Sequence, residues 1–232
     1  MKKQIITLLL AGTLSVSMVA CTSGNNESDK ADNAKETIEE TNELSVQLKG
    51  KFNKDYTRDE LSEMNDEITE RIENTCVIYG LEEDYETEEK ITEENGLSVN
   101  DNYIYLDIEN TESNRLESMY YGFKQYGSDL ASGQLIMKLG FNLDNKAILK
   151  DGEFSFAHTS MSTFSEAFTG REDRDYTKLN KQIYEIIKSG DSFAKIENNL
   201  YGALETITIT DGYLLYKIET KEYDFKNIDN NL

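Results

Sequence analysis

Hydrophobic positions are distributed unevenly along this chain, and each distribution predicts a different kind of segment. Between Ile5 and Val19 nearly every residue is apolar or small, directly after Lys2 and Lys3. From 22 to 43 large apolar residues all but vanish, Ile38 being the exception. Past Leu44 the spacing becomes periodic. Leu61, Met64, Ile68 and Ile72 recur at three and four residues, one stripe of a helix that runs to about Asn74. Thr57-Arg58-Asp59-Glu60 reads as the capping box that starts it, with Tyr56 and Leu61 at the flanking staple positions. Glu60, Glu63, Asp66, Glu67 and Glu70 fall on its wet side.

Further on, Asn102 to Ile108 alternates as a strand, with Tyr103, Tyr105 and Asp107 on one face and Ile104, Leu106 and Ile108 on the other. Leu116, Met119, Tyr120, Phe123, Tyr126 and Leu130 predict a second helix over about 112–130, ended by Gly133. Leu135, Met137, Leu139 and Phe141 alternate again. Asp144-Asn145 and Asp151-Gly152 then mark turns into short strands at 147–149 and 154–157, an antiparallel meander. Leu179, Ile183, Ile186 and Ile187 predict a third helix over about 176–189, stopped by Gly190. Asp211-Gly212 predicts a type I′ hairpin that pairs Ile209 with Leu214 and Ile207 with Tyr216, and sets Thr210, Thr208 and Thr206 against Tyr213, Leu215 and Lys217. These elements make an α+β fold, an antiparallel sheet of hairpins and meander packed with about three amphipathic helices in one domain over 44–232.

The first segment carries the most specific chemistry. Its apolar run is shorter than the roughly 20 residues that span a bilayer, and small residues precede a cleavage point, as in an export signal. It ends in Met18-Val19-Ala20-Cys21, which resembles the lipobox of bacterial lipoproteins. Met18 stands where that pattern usually has leucine. The resemblance covers the signal only. It implies transfer of a diacylglycerol to the Cys21 sulfur and cleavage by signal peptidase II between Ala20 and Cys21, with acylation of the new amine left open. Residues 1–20 are then removed and 21–43 form a lipidated, disordered stalk. Such a coil reaches about 25 Å on average. The expected location is the outer face of a cell membrane, held by two acyl chains rather than by a transmembrane helix. Ordinary secretion, with cleavage after Ala20 or in the Ser15-Val16-Ser17 run, is the alternative.

Charge narrows the partners. The chain carries a net −21, and removing residues 1–20 takes away two lysines and no acids, giving −23. A surface of that sign is repelled by phosphate backbones and anionic headgroups, which argues against nucleic acid or direct lipid-headgroup binding. Once Cys21 bears lipid, Cys76 has no partner for an internal disulfide, and its place in Cys76-Val77-Ile78-Tyr79 predicts burial. The chain has no proline and no tryptophan, which excludes proline-rich linkers and tryptophan sugar platforms.

Candidate chemistry is sparse. Residues 82–94 hold eight acids and one lysine, read as a solvated loop or short helix, with a cation site as the functional alternative. His158, the only histidine, follows a predicted strand near several serines, outside any Gly-x-Ser-x-Gly turn. One histidine and one free cysteine do not make the usual zinc ligand set, and no metal or cofactor is expected. Tyr103, Tyr105, Tyr120, Tyr121, Tyr126, Tyr213 and Tyr216 fit either core packing or a groove for peptide or glycan. The leading expectation is a non-enzymatic envelope lipoprotein that binds a protein, peptide or glycan of the envelope. The alternatives are an envelope hydrolase acting on wall polymer or peptide through carboxylates or His158, and a transporter substrate-binding component.

Overall fold

The computed structural model describes residues 46–109 and 111–225. The expected signal segment, Cys21 and the expected stalk lie outside those residues. Eight strands form one antiparallel sheet: β1 Glu86–Glu94, β2 Leu97–Asp107, β3 Arg115–Tyr126, β4 Ser132–Asn142, β5 Phe193–Leu200, β6 Ala203–Thr210, β7 Tyr213–Glu219 and β8 Tyr223–Asp224. Their order across the sheet is β1-β2-β3-β4-β7-β6-β5, and β8 pairs with β4 beyond the end of β7. Among the described residues there are four α-helices, α1 Arg58–Ile78, α2 Asn145–Asp151, α3 Ser160–Thr169 and α4 Thr177–Ser189. The α+β fold with an antiparallel sheet is as the sequence predicts.

α1 begins where its capping box places it. Thr57 Oγ1 accepts the Glu60 N–H at 3.3 Å, and Glu60 Oε2 accepts the Thr57 N–H at 2.8 Å. Its stripe of Leu61, Met64, Ile68 and Ile72 is buried and runs four residues further than expected, so that Cys76 is buried within the helix. The core lies between helices and sheet. Met119, Tyr121 and Phe123 of β3, Leu135, Met137 and Leu139 of β4, and Tyr216 of β7 meet Phe164 and Phe168 of α3 there. Tyr121 stands edge-on to Phe168 at 6.1 Å, and Phe156 edge-on to Tyr216 at 5.2 Å.

The largest correction concerns 112–130, which is strand β3 and not a helix. Ile104 faces Tyr121, and Leu106 faces Met119, across β2 and β3. Apolar residues occur on both faces of this strand, which hides its alternation and mimics a helical stripe. The predicted strand at 147–149 is helix α2. Asp144 Oδ1 accepts the Ala147 N–H at 2.9 Å, capping a helix where a turn residue was expected, and Gly152 closes it at φ +77°. The predicted strand at 154–157 instead enters a 3-10 turn, Phe156–His158, ahead of α3, which the periodicity did not reveal.

The hairpin register is as expected, Ile209 opposite Leu214 and Ile207 opposite Tyr216. Its turn is not type I′, because only Gly212, at φ +75°, has the left-handed backbone. Both central residues are left-handed at Asn95-Gly96 and Tyr201-Gly202, the β1–β2 and β5–β6 turns. Among the described residues no helix is long and apolar enough to cross a membrane.

Candidate functional site

A cleft of about 390 Å³ opens between helices and sheet at the end where β2 finishes and β3 begins. Tyr79, Leu81, Ile108, Leu116 and Phe141 supply its apolar lining. Leu116 and Phe141 face each other across β3 and β4, while Ile108 is fixed by its N–H bonding the Glu117 carbonyl at 2.8 Å. Tyr79 forms a firm wall. Its ring stacks on Phe164 at 6.2 Å and its hydroxyl hydrogen-bonds Thr163 Oγ1 at 2.9 Å.

Polar residues come from two short segments. The β2–β3 connection contributes Thr111, Glu112 and Asn114, followed by Arg115 at the start of β3, and the entry to α3 contributes His158, Thr159 and Ser160. Asn114 holds a left-handed backbone, φ +60°; its N–H bonds the Asn142 carbonyl at 2.7 Å and its Oδ1 accepts the Asp144 N–H at 2.9 Å. These bonds fix the turn from which Arg115 leaves. A second hollow of about 280 Å³ shares Asn114, Phe141, His158 and Thr159 with the first.

His158 and Ser160 therefore reach one cleft together with Glu112, as a hydrolase would need. His158 is exposed, and among the described residues its ring makes no hydrogen bond to either side chain. A nucleophile, base and orienting acid in contact are what would mark acyl-transfer chemistry.

The other sequence candidates go elsewhere. Cys76 is fully buried, and burial, reinforced by Glu73, pushes its thiol up to about 11, which suppresses the reactive thiolate. The acidic segment 82–94 is mostly edge strand β1, correcting the loop or short helix. Its carboxylates serve tyrosines: Tyr105 donates to Glu86 at 2.7 Å, and Tyr103 donates to Glu88. Among the described residues no group of three or more acidic, histidine or cysteine side chains is arranged to hold a metal.

The tyrosines divide by strand parity. Tyr121 and Tyr216 are core residues facing the helices. Tyr103, Tyr105, Tyr120, Tyr126 and Tyr213 lie on the opposite face, where Tyr103 sits 5.6 Å from Tyr105 and 5.5 Å from Tyr120. Tyr120 lies over Gly122, where a Cβ would come within 2.2 Å of its hydroxyl, and it donates to Asp101 at 2.8 Å. Burial raises the Asp101 carboxyl above the ordinary range, against the pull of Tyr120 and Lys124.

Neither Arg115 nor a buried ionic cluster gave a signal in the sequence. Glu205, fully buried, accepts from Arg174 Nη2 at 2.7 Å, Tyr216 at 2.6 Å and Asn198 at 2.9 Å. The cluster satisfies its own hydrogen bonds and pins the α3–α4 connection to the sheet. In sequence, Arg174 and Glu205 are indistinguishable from the many surface charges around them. Comparison of the chain with protein families, with curated proteins and with solved structures gives no match.

Proposed function

We propose that this protein is a bacterial envelope lipoprotein, anchored through Cys21 at the outer face of the membrane, whose domain is a binding module rather than an enzyme. The observation that carries the binding role is the cleft itself. About 390 Å³ of mainly apolar space with a few polar groups at its edge falls in the range of small-ligand sites, about 300–1,000 Å³. Its ligand has an apolar part that Ile108, Leu116 and Phe141 desolvate. The anchor rests on the lipobox-like Val19-Ala20-Cys21 ending.

Filling the cleft tests the binding role. The neutral probe N-phenylnaphthylamine should bind the protein saturably at one site, and Ile108→Trp should abolish this at an unchanged melting temperature. Non-saturable binding, or binding indifferent to Ile108→Trp, defeats the reading. Radiolabelled fatty acid should enter the wild type and not Cys21→Ser; equal labelling refutes the anchor.

A hydrolase is the second reading, because His158, Ser160 and Glu112 share the cleft. Ester or peptide turnover that His158→Ala removes would establish it in place of the first.

A further inference from the structure

We infer that the cleft selects an amphiphile with a single anionic head, whose charge is met by Arg115 while its apolar chain occupies the space beside Leu116 and Phe141. The inference rests on the binding role proposed above and assigns the ligand's chemical class.

The arginines of this acidic chain are almost all engaged. Acids outnumber basic residues 45 to 24, so carboxylate partners abound. Arg58 donates to the Leu130 carbonyl at 2.7 Å and Arg71 to the Ala167 carbonyl at 2.7 Å. Arg171 pairs with Asp173, and Arg174 with Glu205. Arg115 alone, of the five, has a guanidinium with no hydrogen bond or ion pair among the described residues; it is exposed and lines the cleft. A guanidinium presents a planar fork of donors that matches a carboxylate or phosphate in two parallel bonds. Glu112, also in the lining, is exposed and unpaired with Arg115, so the fork stays open to a ligand.

One feature adds to the match. Thr159 and Ser160 bring the start of α3 to the cleft, and Thr159 turns its hydroxyl to the Phe156 carbonyl at 2.7 Å instead of capping the helix. The positive end of that helix dipole is therefore uncapped by a side chain on the same side as Arg115. The net charge of the protein disfavours anions at long range, so selection for one is local and depends on Arg115.

Photolabelling tests this on the full chain in nanodiscs, with diazirine probes sharing one ten-carbon chain and ending in a carboxylate, a phosphate, an alcohol or a trimethylammonium group. The readout is labelling of the cleft peptides around Leu81, Ile108 and Leu116. Anionic probes should exceed the alcohol by about tenfold, the worth of a charge-assisted hydrogen bond. Arg115→Met should bring that ratio to about one, and Arg115→Lys should restore part of it. The carboxylate and phosphate arms tell which head group is preferred. Equal labelling by all four probes, preference for the ammonium, or a ratio unmoved in Arg115→Met overturns the inference while leaving the cleft as a binding site. Absence of cleft labelling by every probe overturns both.

Discussion

Single residues set several of the tight points of this molecule, and glycines do so most plainly where two chain segments cross. Gly50 and Gly202 have φ +138° and +99°; a Cβ on Gly50 would lie 2.4 Å from the Tyr201 carbonyl, and one on Gly202 would lie 2.5 Å from Asn53 N. Both clashes are with backbone, next to the hydrogen bond from Phe52 N to the Tyr201 carbonyl at 2.9 Å. Gly50→Ala and Gly202→Ala are each expected to cost at least about 1 kcal/mol, read from urea midpoints. Asp101 gives a pH signature. Its burial raises the folded carboxyl, so the folded state keeps this proton to higher pH than the unfolded chain does. That contribution is complete below the unfolded value of about 3.9 and is lost as pH rises through the folded value. Asp101→Asn should therefore gain stability relative to the wild type as pH climbs from 4 to 7. A difference that stays constant across that range rules the burial effect out.

At the scale of elements, the sheet has two edges, and the β1 edge is guarded by charge. β1 carries five glutamates in nine residues around the exposed Ile91. Charged side chains on an edge strand oppose pairing with a second chain. Glu89→Val with Glu93→Val should turn this edge into a pairing surface, giving dimers or larger species in sedimentation velocity where the wild type gives monomer. A monomeric double variant would show that something other than charge protects the edge. α1 and the β6–β7 hairpin were legible in the sequence because their signals are local. A capping box and a four-residue stripe fix α1, and the two-residue length of the turn fixes the hairpin register though not its turn type. β3 was not legible. Tyr120 and Tyr126 on the open face added apolar residues at helical spacing, and only pairing with β2 and β4 makes the strand the better state.

For the molecule as a whole, the Arg174–Glu205 pair joins the helix layer to the sheet. Breaking a buried pair leaves a charge without compensation, and Arg174→Met is expected to cost about 3–5 kcal/mol, with Arg174→Met/Glu205→Met recovering much of it. Equal losses in the single and double variants would show that the pair contributes nothing beyond its packing. The cleft belongs to this scale too. Tyr79, Ile108 with Arg115, Phe141 and His158 come from four separate stretches of chain, so no spacing in the sequence pointed to it. By itself the sequence determined the α+β class, the α1 cap, the register of the last hairpin and the burial of Cys76. Each follows from contacts between near neighbours or from the solubility of a side chain. Only the tertiary structure decided that 115–126 is a strand, which face each tyrosine takes, and that Arg115 and His158 line one cleft. Those outcomes depend on distant segments meeting, and the free energy of such meetings is absent from any local window.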